Sequence, residues 1–133
     1  YPSGIYQSTM TSGGSPIDAI QRTTIDGTNY DGLYHMVTFP FYVEMLSVKF
    51  SFDSNAKYVP TRMSILASNN DGVSFVHIGG YQSGVTGVTT YTVAVNSTKK
   101  FKTFKLVYEE YPVEINISSI RFSQIQFYGD IFT

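Results

Sequence analysis

The sequence contains no cysteine and no tryptophan, and only 14% of its residues are charged. Without cysteine, this chain of 133 residues has no disulfide, no thiolate metal ligand and no cysteine nucleophile. Nine basic and ten acidic residues leave a net charge of −1, which argues against a surface that binds nucleic acid. Since no apolar run approaches the roughly 20 residues of a membrane-spanning helix, we expect no membrane insertion.

Aromatic and aliphatic residues are plentiful by comparison. Hydrophobic residues make up 42% of the chain, and 11 tyrosines and 10 phenylalanines are among them. A disordered chain shows the opposite balance of apolar and charged residues. The length and composition therefore predict one domain with a sizeable core.

Apolar and polar residues alternate with the period of two that is typical of a β-strand with one buried face. The predicted buried faces are Leu46, Val48, Phe50 and Phe52; Met63, Ile65 and Ala67; Tyr91, Val93 and Val95; and Phe104, Leu106 and Tyr108. In residues 121–128 this phase slips near Phe122, which indicates a β-bulge. We predict an all-β domain in which about eight strands form two packed antiparallel sheets.

Turn and loop residues between the predicted strands divide the chain further. Residues 69–72, Asn-Asn-Asp-Gly, predict a hairpin turn because these residue types tolerate positive φ. The first 16 residues are rich in Ser, Gly, Thr and Pro and show no period. We therefore predict an N-terminal arm or loop over residues 1–16 and a β-sandwich domain over residues 17–133.

Residues suited to catalysis are few. The two histidines, His35 and His77, lie 42 positions apart, and His77 is predicted to face outward from a strand. Glu109 and Glu110 are adjacent in a strand, so their side chains point to opposite sides and form a poor acid–base pair. The lysines at positions 99, 100, 102 and 105 are interpreted as a solvated strand edge. We therefore expect that the chain is not an enzyme.

Three motifs resemble those of the discoidin-like domains, also called coagulation factor 5/8 type C domains. Residues 65–75 are similar to the family's strand, Ser-Asn-Asp-Gly and aromatic hairpin, and residues 25–28 resemble its Asp-Gly loop. Residues 122–129 resemble its closing strand. The family's usual tryptophans and terminal disulfide are absent. The resemblance implies a galactose-binding-like jelly-roll β-sandwich that binds ligands through loops at one end.

A structural calcium site is also implied by the resemblance. The family builds it from the Asp-Gly loop and a glutamate near the C-terminus. The corresponding residues here are Asp26, Asn29 and Gln124, and the amide of Gln124 replaces a carboxylate that calcium prefers.

Sugar recognition requires flat aromatic faces together with amide and hydroxyl groups. Two loop clusters offer this combination: Asn29, Tyr30, Asp31, Tyr34 and His35 in the first, and Tyr81 and Gln82 in the second. The structural alternative is that these tyrosines cover the ends of the core.

Three functions remain open at this point. The first is a non-catalytic recognition module that binds a glycan or a surface protein, located outside the cell, at the cell surface or on a virion surface. The second is a structural jelly-roll subunit or domain of a viral particle or fibre. Its N-terminal arm would then pack on neighbouring subunits. The third is an accessory domain of a larger glycan-processing enzyme, in which the catalysis lies elsewhere.

Overall fold

The structure, a computed structural model, describes residues 5–11, 21–52, 59–70, 72–82, 90–95, 99–110 and 122–132. These residues contain eight β-strands and no helix, so the all-β prediction is confirmed. The strands are β1 (Ile5–Thr11), β2 (Gln21–Ile25), β3 (Thr28–Phe52), β4 (Arg62–Ser68), β5 (Val76–Gln82), β6 (Thr90–Ala94), β7 (Phe101–Glu110) and β8 (Phe122–Phe132).

Strand β3 takes part in both halves of the sandwich. Its residues 33–38 pair with β7, and residues 42–52 pair with β8. The register shifts between Thr38 and Val43, around the Pro40 that cannot donate a ladder hydrogen bond. We call the half with strand order β3-β7-β4-β5 the front sheet, and the half with order β1-β8-β3-β6 the back sheet.

The two sheets enclose one core, as the predicted antiparallel jelly-roll sandwich requires. Aromatic rings meet across it: Phe52 of β3 lies 6.5 Å from Tyr108 of β7, and Phe39 lies 5.8 Å from Phe127 of β8. Fully buried side chains from both sheets fill the space between, among them Met45, Phe50, Ile65, Phe104, Leu106 and Ile125. Burial of this apolar surface is the main term that stabilises the fold.

The back sheet follows the predicted alternation, with one exception. Val48, Phe50 and Phe52 are buried as expected, whereas Leu46 is 45% exposed. The register of β3 against β8 shifts between Met45 and Ser47, so Leu46 lies in a bulge. Met45 instead of Leu46 is buried in the core. The prediction that Leu46 belongs to the buried face is therefore wrong.

Two other local predictions are confirmed. The register of β3 against β8 shifts again beside Phe122, where the phase slip indicated a bulge. The turn between β4 and β5 is held by Ser68 Oγ, which donates to Asn70 Oδ1 at 2.7 Å and accepts from the Gly72 amide at 3.1 Å. Gly72 has the positive φ of 81° that this turn requires.

Strands β4 and β7 of the front sheet are buried on both faces. Strand β7 lies between β3 and β4, so Lys105 is interior and only 3% exposed, instead of lying on a solvated edge as predicted. Leu66 and Ser64 on the outer face of β4 are also buried. A strand in which apolar and polar residues alternate is buried on both faces only where a second layer covers its polar face. The hairpin of residues 21–32 supplies part of that layer.

Residues 21–32 form a hairpin that contacts the outer face of the front sheet, and we call it the covering hairpin. Its two-residue turn has positive φ at Asp26 (48°) and Gly27 (82°), as in a type I′ turn. Thr23 and Tyr30, which pair across the hairpin, contact the sheet through Lys105 and His77. Gly32 permits this approach, since a Cβ there would lie 2.0 Å from the Tyr108 carbonyl oxygen.

The predicted N-terminal arm includes a strand. Residues 5–11 form β1, which pairs with β8 from Ile5 opposite Asp130 to Thr11 opposite Gln124. An arm or loop is therefore the wrong description for these seven residues, because they extend the back sheet of this same chain. The boundary between residues 16 and 17 falls outside the described residues and stays a prediction.

Two clefts beside the covering hairpin form the candidate functional site

The covering hairpin leaves a cleft on each of its sides. The first, which we call the tyrosine cleft, has a volume of about 440 Å³ and lies between residues 28–30 and strands β4, β5 and β7. The second, the lysine cleft, has a volume of about 520 Å³ and lies between residues 22–26 and the turn after β4. Both volumes fall in the range of small-molecule sites, which is about 300–1,000 Å³.

A stacked pair of rings forms one wall of the tyrosine cleft. The Tyr30 and His77 rings are 5.3 Å apart and inclined by 20°. Tyr30 comes from the covering hairpin, and the exposed His77 comes from β5, facing outward as the sequence predicted. Aromatic rings with hydrogen-bonding groups at their edges suit the C–H and hydroxyl groups of a sugar ring.

Ion pairs hold the polar side of the tyrosine cleft. Arg62 Nη1 donates to Glu110 Oε1 at 2.9 Å, and Arg62 Nε lies 3.4 Å from Glu109 Oε2. Ser64 Oγ donates to the same Glu109 oxygen at 2.7 Å, and the Glu109 side chain is only 4% exposed. Fixed donors and acceptors of this kind orient a ligand at little entropic cost.

The structure brings four of the predicted ligand residues to this one cleft. Asn29 and Tyr30 from the first sequence cluster meet Tyr81 and Gln82 from the second. Tyr81 also fits the structural alternative, since its ring stacks on Tyr91 at 4.1 Å and its hydroxyl donates to the Pro60 carbonyl. Burial raises the pKa of Tyr81, so its hydroxyl stays neutral.

The other three predicted residues lie elsewhere. Asp31 accepts two hydrogen bonds from Arg22 on the covering hairpin, and these bonds lower the pKa of Asp31. Tyr34 lies with its ring 4.6 Å from Lys105 Nζ. His35 is buried, with its Nδ1 2.9 Å from the Tyr108 hydroxyl. A ligand at the surface does not reach His35, so its predicted contact role does not fit this position.

Sequence reasoning missed the polar half of the tyrosine cleft: Arg62, Ser64, His77 and Glu109. Arg62 and Glu109 are 47 positions apart and meet because β4 pairs with β7. The sequence offered two signals for this pair: Arg62 at the start of β4 and Glu109 near the end of β7. Pairing of those two strands cannot be read from either segment alone.

The three predicted calcium ligands lie in two elements, the covering hairpin and β8. Asp26 forms the tip of the covering hairpin, and Asn29 Oδ1 accepts a hydrogen bond from Thr24 Oγ1 at 2.8 Å. Gln124 lies in the back sheet, paired with Ser51. The described residues include no group of three or more His, Cys, Asp or Glu side chains suited to a metal ion. Calcium takes six to eight oxygen ligands, backbone carbonyls and waters among them, so the calcium site stays a prediction.

Comparison with solved structures identifies the architecture. The CBM62 module of Clostridium thermocellum Xyl5A superposes with a TM-score of 0.59 and 16% identity, over 98% of this chain and 99% of that one. This chain has the galactose-binding-like β-sandwich fold. The discoidin-like resemblance of its motifs is thereby confirmed as a likeness of fold.

Two further structures share this fold. CpGH89CBM32-5 from Clostridium perfringens, in complex with GalNAc-β-1,3-galactose, matches with a TM-score of 0.52 and 14% identity over 93% of this chain and 94% of that one. Chitosan-binding module 1 of a chitosanase/glucanase from Paenibacillus sp. IK-5 matches over the same shares, with a TM-score of 0.52 and 10% identity.

Sequence comparison gives no counterpart to these structural matches. No family model matches the chain, and no curated protein matches it significantly. In the part of the chain that the structure describes, no helix has the length and hydropathy needed to cross a membrane.

Proposed function

We propose that this chain is a non-catalytic carbohydrate-binding module whose ligand occupies the tyrosine cleft. The observation that carries the proposal is the meeting of the Tyr30–His77 ring pair with the Arg62–Glu109 pair in one cleft. The same cleft is lined by Asn29, Tyr30, Tyr81 and Gln82, four residues whose aromatic and amide groups the sequence analysis predicts for sugar binding.

The charge balance of the tyrosine cleft favours a neutral saccharide. Its one described arginine, Arg62, is paired with two carboxylates, Glu109 and Glu110. Sugar hydroxyls both donate and accept hydrogen bonds, so a guanidinium beside a carboxylate offers each hydroxyl a partner. Asn29 and Gln82 add exposed amide groups at the rim.

The fold supports the same ligand class. Among proteins with this fold, CpGH89CBM32-5 holds GalNAc-β-1,3-galactose, and the Paenibacillus module is described as chitosan-binding. A saccharide ligand would place this chain outside the cell or at the cell surface, with a glycan as its partner. The shared fold supports a saccharide ligand by analogy, and the chemistry of the tyrosine cleft supports it independently.

The alternative of a structural subunit gains no support. None of the three similar structures is a component of a viral particle or fibre. Residues 5–11, which that alternative assigned to an assembly arm, complete the back sheet of their own chain.

The test is a glycan array followed by calorimetric titration with the saccharide that binds best. We expect Tyr30→Ala to weaken binding at least about tenfold, which corresponds to about 1.4 kcal/mol. Tyr42→Ala is the matched control, because Tyr42 is an exposed tyrosine of the back sheet, away from the cleft. An array without any saccharide signal would refute the proposal, and so would equal losses in the two variants.

A further inference from the structure

A β-bulge in β7 sets the position of Glu109 beside the tyrosine cleft. Arg62 of β4 pairs with Glu110, and the next β4 residue, Met63, pairs with Tyr108. Glu109 is therefore an extra residue with no opposite residue on β4. Neighbours in a regular strand point to opposite sides, yet Glu109 and Glu110 both contact Arg62. Bulges re-aim side chains in this way next to functional sites.

The Glu109 carboxylate is held at one of its two oxygens. Its side chain is 4% exposed, and Oε2 accepts from Ser64 Oγ at 2.7 Å and from Arg62 Nε at 3.4 Å. Within the described part of the chain, neither of these hydrogen bonds involves Oε1, and no fully buried polar side-chain atom lacks a partner. Oε1 therefore reaches solvent. Because Glu109 lines the tyrosine cleft, Oε1 is the acceptor that it offers to a ligand.

Ser64 fixes this carboxylate from inside the front sheet. It is 5% exposed in β4, between β7 and β5, and its partner on β5 is Gly80. Gly80 also lines the tyrosine cleft and has no side chain to fill the space beside the carboxylate. A buried donor that already holds Glu109 reduces the entropy that a ligand would lose in ordering it.

The chemistry of Oε1 restricts what can bind against it. An ionised carboxylate oxygen accepts hydrogen bonds and donates none. A ligand displaces the water at Oε1, and a ligand group that cannot donate would leave this charged acceptor unpaired. A sugar hydroxyl donates, whereas the O-methyl or O-acetyl form of the same hydroxyl only accepts.

We propose that Glu109 is the specificity-determining residue of the tyrosine cleft and that Ser64 is its positioning residue. The ligand is then a neutral pyranoside whose hydroxyl at Glu109 Oε1 is unsubstituted, and the form that is O-methylated or O-acetylated at that hydroxyl is rejected. The saccharide class rests on the proposed function, whereas the need for a donor rests on Oε1 itself.

The test is an NMR titration of the full chain with methyl β-D-galactopyranoside, methyl β-D-glucopyranoside and the mono-O-methyl derivatives of each. For the parent sugar that binds more tightly, we expect one derivative to lose at least about tenfold in affinity. Glu109→Gln keeps the size of the side chain and adds an N–H donor, so it should reduce this discrimination at least about threefold. Glu44→Gln, the same substitution on the back sheet, is the matched control and should keep the discrimination within about twofold.

Two variants of Ser64 separate positioning from folding. Ser64→Ala removes the hydrogen bond to Glu109 and should weaken the parent sugar at least about threefold. Ser64→Thr keeps the hydroxyl and should restore affinity to within about twofold of the original.

Three results would overturn the proposal: no binding of either parent pyranoside, equal affinity for the parent and all of its derivatives, or unchanged discrimination in Glu109→Gln. The proposed function fails separately. It would stand without this assignment if an array signal were lost in Tyr30→Ala and kept in Glu109→Gln.

Discussion

The outer faces of the two sheets differ in what lies over them. On the front sheet, the covering hairpin and the turn after β4 lie over β7, and Ser64, Leu66 and Lys105 are buried. On the back sheet, β6 keeps the simple alternation in which Val93 is buried while Thr92 and Ala94 are exposed. Both candidate sites belong to the front sheet.

This difference shows where a β-sandwich gains a concave surface. A flat sheet face offers a ligand few directions of contact, whereas a hairpin laid across it creates a cleft on each side. The same hairpin forces polar groups into partly dry surroundings, where each must find a partner. The covering hairpin therefore has two effects: it buries part of the outer face of the front sheet, and it forms one side of each candidate ligand cleft.

The largest effect should come from comparing two leucines. Leu66→Ala, under the cover, should lower the free energy of unfolding by about 3 kcal/mol, because the site is fully buried and leaves a cavity. Leu46→Ala, at the exposed bulge, should change it by less than about 0.5 kcal/mol. Urea denaturation measures both. Equal effects would mean that the two faces are covered alike.

A comparison of two glycines tests the covering hairpin directly. Gly32→Ala should cost about 2 kcal/mol, because its Cβ would overlap the Tyr108 backbone and push the hairpin off the sheet. Gly27→Ala meets no atom within 4 Å and should cost about 1 kcal/mol, from its positive φ alone. Thermal denaturation should rank them in this order, and only Gly32→Ala should weaken saccharide binding at the tyrosine cleft. A reversed ranking would contradict the placement of the hairpin.

Tyr81→Phe tests whether the Tyr81 hydroxyl contributes to the stability of the fold or to ligand binding. The change removes the hydrogen bond from the Tyr81 hydroxyl to the Pro60 carbonyl and should cost about 1 kcal/mol of stability. Saccharide affinity at the tyrosine cleft should stay unchanged, because that hydroxyl is already engaged. Chemical denaturation and calorimetry on the same sample measure the two quantities. A loss of affinity without a loss of stability would place Tyr81 among the ligand contacts.

The smallest expected effect is a pH dependence that originates under the cover. Burial lowers the pKa of Lys105 below its ordinary value of 10.5, so the unfolded chain binds this proton more tightly than the folded one. Stability should therefore rise with pH through the window that ends near the unfolded pKa. Denaturation of the original chain and of Lys105→Met, from about pH 7 to about pH 10, should show the original chain gaining on the variant. Parallel curves would mean that burial does not alter the proton affinity of Lys105.

Patterns between neighbouring residues of the sequence suffice to predict the class of fold and much of its local detail. Period-two alternation predicted the core faces of β4, β6 and β7, because residues two apart share a face in any strand. The phase slip near Phe122 and the Asn-Asn-Asp-Gly turn were also correct, since bulges and tight turns depend on neighbouring residues. Residue type also singles out Asn29, Tyr30 and Gln82 as candidate ligand residues, and the structure places all three in the tyrosine cleft.

The tertiary structure alone decided which polar face is covered. Lys105 alternates with core residues just as a solvated lysine would, and burial appears only when the covering hairpin lies over β7. The Arg62–Glu109 pair likewise exists because β4 pairs with β7 across 47 positions of sequence. Alternation records that a strand has two unlike faces, and it carries no information about which other segment of the chain packs on the polar one.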